Sequence, residues 1–389
     1  MGNKSLKETL TKNAMLIVLV LVYLLFLILT KGGIFSPSSF TELINQNAYV
    51  YILGAGMLMC MLTGGNIDLS CGAFVCLLGA FGGVFMIVQG LGTGVSILLM
   101  LLIGIAYGAA LGFLIAYVHI PPWIATLAGY LSFRGLGTSI LSANSTTGSL
   151  APFPTNFQSI FYGRVFASEK GALNWPCFIA GLLAAALLVL IVMGNRASRL
   201  KKGYEADSMQ SALIKCVLGG AVIVLVMTLL ALDGGIPATL LWVAGVILIY
   251  SFITSKTTIG RHFYVVGGNM EAARLSGVNT RRIMFLAYLN MAVLTTVATM
   301  TVVARSQSAY ADIGKNFEMD AISACVVGGV SASGGAGTVL GMVIGATLIG
   351  VINLGMSLIS LDANYQRVIK GFVLLAAVVF DILSKKHET

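Results

Sequence analysis

Few residues in this chain stand where they could do chemistry, and they are polar groups set among apolar ones. Asp68 lies in Gly64-Gly65-Asn66-Ile67-Asp68-Leu69-Ser70-Cys71-Gly72, between two apolar stretches. A carboxylate there has three uses. With Ser70 it can accept backbone N–H groups of a helix entering at Ala73, it can contact a polar solute, or it can pair with a base. Arg134 stands in Ala125–Gly135, after Pro121-Pro122, which suit a helix start. Its guanidinium requires an acid or the carbonyls of a broken helix. Arg367 and Lys370 are one turn apart near one end of the last apolar segment, long enough to snorkel to an interface.

Bond-making groups do not assemble into a pattern. His119, His262 and His387 are scattered, and Cys60, Cys71, Cys76, Cys177, Cys216 and Cys325 sit in or beside apolar runs without ligand spacing. There is no carboxylate pair and no nucleophile elbow. Gly334-Gly335-Ala336-Gly337-Thr338 lacks the lysine of a phosphate-cradling loop. The expectation is a chain with no catalytic residue, no metal and no cofactor of its own.

The elements that hold these residues follow from composition. Of 389 residues, 58% are hydrophobic and 10% charged, against about a quarter charged in soluble chains. So few charges cannot cover a water-facing surface, so lipid must. The 46 glycines suit close helix packing and the 7 prolines permit long helices. Apolar segments occur at about 14–30, 43–62, 69–88, 93–118, 121–141, 173–193, 213–232, 237–253, 283–303, 319–333, 336–358 and 365–383. They predict an all-α, polytopic membrane bundle of about 10–12 segments, some broken by glycine, forming a single domain over 1–389. The run after Lys4, Lys7 and Lys12 lacks a cleavage site and reads as an uncleaved first span.

The net charge of +9 gathers in short loops, which argues for topology rather than nucleic acid. Arg196, Arg199, Lys201, Lys202 and Lys215 form one group; Lys256, Arg261, Arg274, Arg281 and Arg282 form another. Placed in the cytoplasm together with Lys385 and Lys386, they put both termini inside and the loops 142–172 and 304–320 outside, where an external partner would land.

Two segments look alike, pointing to two related halves. Gly64, Gly65, Asn66, Asp68 and Ser70 precede the helix Ala73–Gly83; Gly328, Gly329, Ser331 and Ser333 precede the helix Thr338–Gly350. Glycine-interrupted segments in corresponding halves mark a substrate path in transporters, though ordinary helix contacts use glycine too. In the loop 254–282, Asn269 can cap a short helix to about Ser276 and Gly277 can end it.

The stretch Gly267–Val278, carrying Asn269, Glu271, Ala272, Ala273, Arg274, Leu275 and Gly277, resembles the coupling segment of permease subunits of ATP-binding-cassette importers for monosaccharides. Gly64–Gly72, Ile120–Gly135 and Gly328–Gly345 fit the same family, in order. The resemblance implies two permease subunits as a channel, an ATPase partner that holds the ATP and Mg beneath each, and an extracytoplasmic sugar-binding protein, all at a bacterial plasma membrane. The basic loop 194–212 with 213–232 and 237–253 looks like an added helical pair, as in xylose or multiple-monosaccharide members. A permease for nucleosides or branched-chain amino acids is the alternative cargo. An intramembrane enzyme would require clustered acids or histidines that the sequence lacks.

Overall fold

The computed structural model describes residues 14–204 and 208–386. Lys4, Lys7, Lys12 and His387 lie outside the described residues. Every apolar segment read from the sequence contains a helix, though 319–333 is helical only to Val327. In chain order the helices are α1 (Ala14–Leu29), α2 (Pro37–Leu62), α3 (Cys71–Gly83), α4 (Thr93–Ala116), α5 (Pro122–Asn144), α6 (Thr155–Phe161), α7 (Trp175–Lys201), α8 (Met209–Leu232), α9 (Ala238–Lys256), α10 (Thr258–Gly268), α11 (Met270–Leu275), α12 (Thr280–Ser306), α13 (Phe317–Val327), α14 (Val339–Leu358) and α15 (Ala363–Lys386).

Their ends follow from side-chain chemistry. Ser36 accepts the N–H of Ser39 ahead of Pro37, and Asn174 accepts that of Cys177 ahead of Pro176, so cap and proline together open α2 and α7. Thr338 caps α14 by accepting from Gly341 at 2.9 Å. Pro121-Pro122 open α5 as the sequence predicts.

Among the described residues, seven helices are long and apolar enough to cross a membrane by length and composition: α3 with its continuation to Val88, α4, α7, α8, α9, α12 and α14. Helices α2 and α5, of 26 and 23 residues, are as long but more polar, because α2 is the interior of the bundle. From Ala48 to Leu62 almost the whole of α2 is buried, between α12, α13, α14 and α9.

Two short strand pairs tie one end together. β1 (Ser149–Leu150) pairs with β4 (Ala309–Tyr310), and β2 (Arg164–Val165) with β3 (Ile236–Pro237). The basic loops gather elsewhere: Arg196, Arg199, Lys202, Lys215 and Lys256 line one cavity of about 570 Å3.

The segment 213–232 lies in α8, which packs on α7 rather than on 237–253 in α9. Gly181 lies against Met227 and Gly219 against Leu188, so α7 and α8 form a hairpin. Leu183, Leu190, Val217 and Leu218 on its outer faces are 66%, 70%, 66% and 63% exposed, a surface only lipid suits. By contrast α9 packs on the central α2, where Thr239 donates to Asn45 Oδ1.

Glycine is indispensable where backbones touch. A Cβ on Gly267 would run into the Leu62 carbonyl oxygen and the Gly335 nitrogen. Gly267→Val is therefore expected to cost about 3 kcal/mol or more, read as a lowered unfolding temperature and a loss of monodisperse protein in detergent. Gly268→Ala, where a Cβ meets nothing within 4 Å, is the neutral control.

Candidate translocation and coupling sites

The two glycine-rich segments are both breaks between helices, and they meet. The first joins α2 to α3, the second α13 to α14. Gly64 and Gly65 have φ of 112° and 72°, Gly334 and Gly335 of 88° and 71°, values that favour glycine. A Cβ on Gly65 would strike the Ala332 carbonyl, and one on Gly334 the backbone of Gly64. The Gly335 N–H donates to the Leu62 carbonyl at 3.2 Å, satisfying a carbonyl left open where α2 stops. Helix α10 closes over this crossing through Gly267, and Tyr264 donates its hydroxyl to the Gly337 carbonyl at 2.9 Å.

Asp68 closes the turn ahead of α3 and does not cap the helix, whose first turn has no side-chain cap. It is buried, and its Oδ1 accepts the backbone N–H of Ser70 at 2.8 Å and the Ser70 hydroxyl. Ser70 in turn meets the hydroxyl of Tyr107, a residue that no motif singles out. Among the described residues no base pairs with Asp68.

The predicted path residues therefore do not form one lining. Gly64 and Asn66 open to a cleft of about 840 Å3; Asp68, Ser70 and Ser331 are interior; Gly329 and Ser333 are exposed. Gly328 is a helix contact, since a Cβ there would meet the carbonyls of Gly341 and Ala324.

The coupling segment folds as its sequence predicts. Asn269 Oδ1 accepts the Ala272 N–H at 2.9 Å, α11 follows, and Gly277 ends it at φ 82°. Glu271, Ala272, Arg274 and Leu275 are exposed, Leu275 at 87%. Ala273 is fully buried, so it seats the helix instead of offering a docking surface. Glu271, Arg274 and Gly277 line the same cleft as Gly64 and Asn66, facing His119 and Pro121. Side chains of the α11 segment and the first break thus share one cavity.

Three intramembrane charges find partners across the bundle. Arg134 Nη1 donates to the carbonyls of Ala311 and Ile313 at 2.9 and 2.8 Å. Lys370 does not snorkel: its ammonium bonds both oxygens of Asp320 at 3.0 and 3.1 Å, and Tyr49 donates to the same carboxylate at 2.6 Å. Only Arg367 stays near the surface, with Asn364.

The loop 304–320 is exposed at Tyr310, Ala311, Asp312, Lys315 and Met319 but buried at Ile313, Gly314, Glu318 and Asp320. Gly314 packs on the Gly72 carbonyl and Val75, Cys76 donates to the Ala311 carbonyl, and Glu318 lies against Gly72. The acids Glu318 and Asp320 are thus interior, placed by the N-terminal turn of α13, which attracts negative charge. Two acids just ahead of an apolar run were the available signal, the same signal that marks Asp68. At the rim, Asp233 joins Arg164 at 2.7 Å and Lys170 at 3.0 Å. Burial pushes the Asp233 carboxyl up, but hydrogen bonds from Arg164, Lys170 and Thr41 outweigh it and hold it below the ordinary carboxylate range.

This is a polytopic helical permease scaffold: a lipid-covered bundle, two meeting breaks and a capped helix presented beside a cleft. Comparison with known proteins agrees. The family model described as "Branched-chain amino acid transport system / permease component" matches residues 39–378, and the chain belongs to that family. It is similar to the xylose transport system permease protein of Haemophilus influenzae, 32% identical over 96% of both chains. It is also similar to the xylose transport system permease protein of Escherichia coli K12 (31%, 96% of this chain and 92% of that one). The ribose import permease protein of Bacillus subtilis is 30% identical over 92% of this chain and 90% of its own length. No solved structure matches.

Two outcomes follow from the ion pairs. Lys370→Met alone should destabilise the permease by about 3–5 kcal/mol, because Asp320 stays buried without its base, and adding Asp320→Leu should restore most of the loss; thermal unfolding in detergent reads both. Asp233 stabilises above its unfolded-state pKa, and this is lost as pH falls through its lower folded value. Unfolding temperature should drop below about pH 4, and Asp233→Asn should remove that part of the acid dependence.

Proposed function

We propose that this chain is the sugar-conducting permease subunit of an ATP-driven importer in a bacterial plasma membrane. The similarity to permeases named for xylose and ribose, running over nine-tenths of the chain, carries this reading. The family description names branched-chain amino acids, but these full-length relatives favour a monosaccharide over an amino acid or a nucleoside.

Two copies of the chain enclose the path. An extracytoplasmic binding protein delivers the sugar to the rim formed by 142–172, 233–237 and 304–310. Basic loops and both termini lie in the cytoplasm. There an ATPase subunit, holding ATP and Mg, grips α11 through Glu271, Ala272, Arg274 and Leu275. The exposure of these side chains around a buried Ala273 supports that role. Because Gly267 locks α10 onto both breaks, a pull on α11 reaches Gly64–Asn66 and Gly334–Gly335 directly. Differential binding of the ATPase to two arrangements of this unit is what alternates access.

Glu271→Ala and Arg274→Ala should each lower co-purification of the ATPase and ATP-dependent sugar uptake about tenfold, the loss of roughly 1.4 kcal/mol of docking energy, with membrane levels of the permease unchanged. Wild-type association and uptake in both variants would remove the docking role. A reconstituted complex that imports an amino acid but no pentose or hexose would overturn the cargo.

A further inference from the structure

The segment 311–316 lies at the wrong depth for its polarity. Gly314 and Glu318 touch Gly72, near the start of α3, whereas Gly83 at the end of α3 touches Leu150 of β1. At 1.5 Å per residue, Ala311 beside Cys76 and Gly314 beside Gly72 lie roughly 10 and 16 Å beneath the strand end, about a third to a half of a 30 Å hydrocarbon core. Arg134, which holds it, is at the middle of α5. At that depth Asp312 and Lys315 form an ion pair at 3.1 Å with side chains 74% and 47% exposed. The pair does not face the interior, and lipid contact would cost several kcal/mol.

A second observation points to a ligand. Arg134 Nη2 and Glu318 Oε2 are both buried and have no hydrogen-bond partner among the described residues. Glu318 is only 3% exposed, and the two charges act on each other. One donor and one acceptor are left open beside an exposed acid and base. Below them, toward the breaks, Met319 and Gly329 are exposed, so the polar cluster leads to a glycine with open space around it.

We propose that Arg134, Asp312, Lys315 and Glu318 form a mid-membrane contact site for a neutral, polyhydroxylated solute. Resting on the permease reading above, it names the residues that the solute meets between rim and break. Hydroxyls both donate and accept, so they can bridge the exposed Asp312 and Lys315, while Arg134 Nη2 and Glu318 Oε2 behind that pair are the open groups that a hydroxyl drawn inward would satisfy. Neutral cargo gains from both signs of charge without being trapped by either. Arg134 has a double part, since Nη1 also fixes the segment; it is unsuited to a clean test, whereas Asp312 and Lys315 are surface side chains.

The test uses the assembled transporter, with its ATPase and binding protein, in proteoliposomes. Asp312→Cys is compared with Leu190→Cys on the outer face of α7, which is 70% exposed to lipid, using a charged, membrane-impermeant thiol reagent. The native cysteines are all buried. Asp312→Cys should label at least about tenfold faster, because thiolate chemistry requires water. Asp312→Asn and Lys315→Gln should each cut the maximal rate of xylose or ribose uptake about fivefold with half-saturation unchanged. Labelling of Asp312→Cys no faster than Leu190→Cys, or unchanged uptake in both charge variants, overturns the site while wild-type import stands. Absence of xylose and ribose import by the wild-type complex instead defeats the permease reading.

Discussion

The structure depends on one constraint: where helices stop inside a membrane, every freed backbone group must be satisfied by the protein itself. Two helices stop here, α2 at Leu62 and α13 at Val327; α13 closes on itself, Gly329 and Val330 donating to the Val326 and Cys325 carbonyls, while α2 takes a donor from the second break. The Leu62 carbonyl takes the Gly335 N–H, and Ala332 and Gly334 press on Gly65 and Gly64. Such closeness is open only to residues without a Cβ, which is why the glycines cluster as they do. Elsewhere in the bundle, glycines mainly bring helices together, as Gly104 and Gly108 do on α12.

The same crossing explains why a short capped helix can work at a distance. Gly267 contacts both breaks and ends α10; two residues later Asn269 starts α11. No flexible linker separates α11 from the breaks. Force applied at Leu275 therefore meets a backbone seam rather than a hinge, and the cleft holding Glu271, Arg274, Gly64 and Asn66 is the space in which that unit can shift. Asp68, which first reads as a cap, a solute contact or the partner of a base, instead holds Ser70 in the turn before α3. It fixes where α3 begins relative to the crossing.

Much of this was legible in the sequence. Hydropathy located every long helix, because apolar length is what a bilayer demands. Asn269 and Gly277 framed α11 through local backbone chemistry that no tertiary contact overrides. Helix partners were not legible. Lipid and protein interior are equally apolar, so periodicity does not say that α8 pairs with α7 while α9 joins the core. Depth was not legible either. Asp312, Lys315 and Glu318 look like a surface loop because hydropathy records polarity and not position, and only Gly72 and Arg134, far away in sequence, carry them inward. Lys370 looked free to snorkel because Asp320 lies on another helix.

The central claim is that α11 and the second break move as one body. It is tested by the distance between spin labels at Ser276→Cys and Ser333→Cys, measured in the assembled transporter without nucleotide and with a non-hydrolysable ATP analogue. The account predicts one distance distribution in both states while the ATPase subunits close. A nucleotide-dependent change of more than about 3 Å between these two positions would show that the docking helix slides over the crossing, and would contradict it.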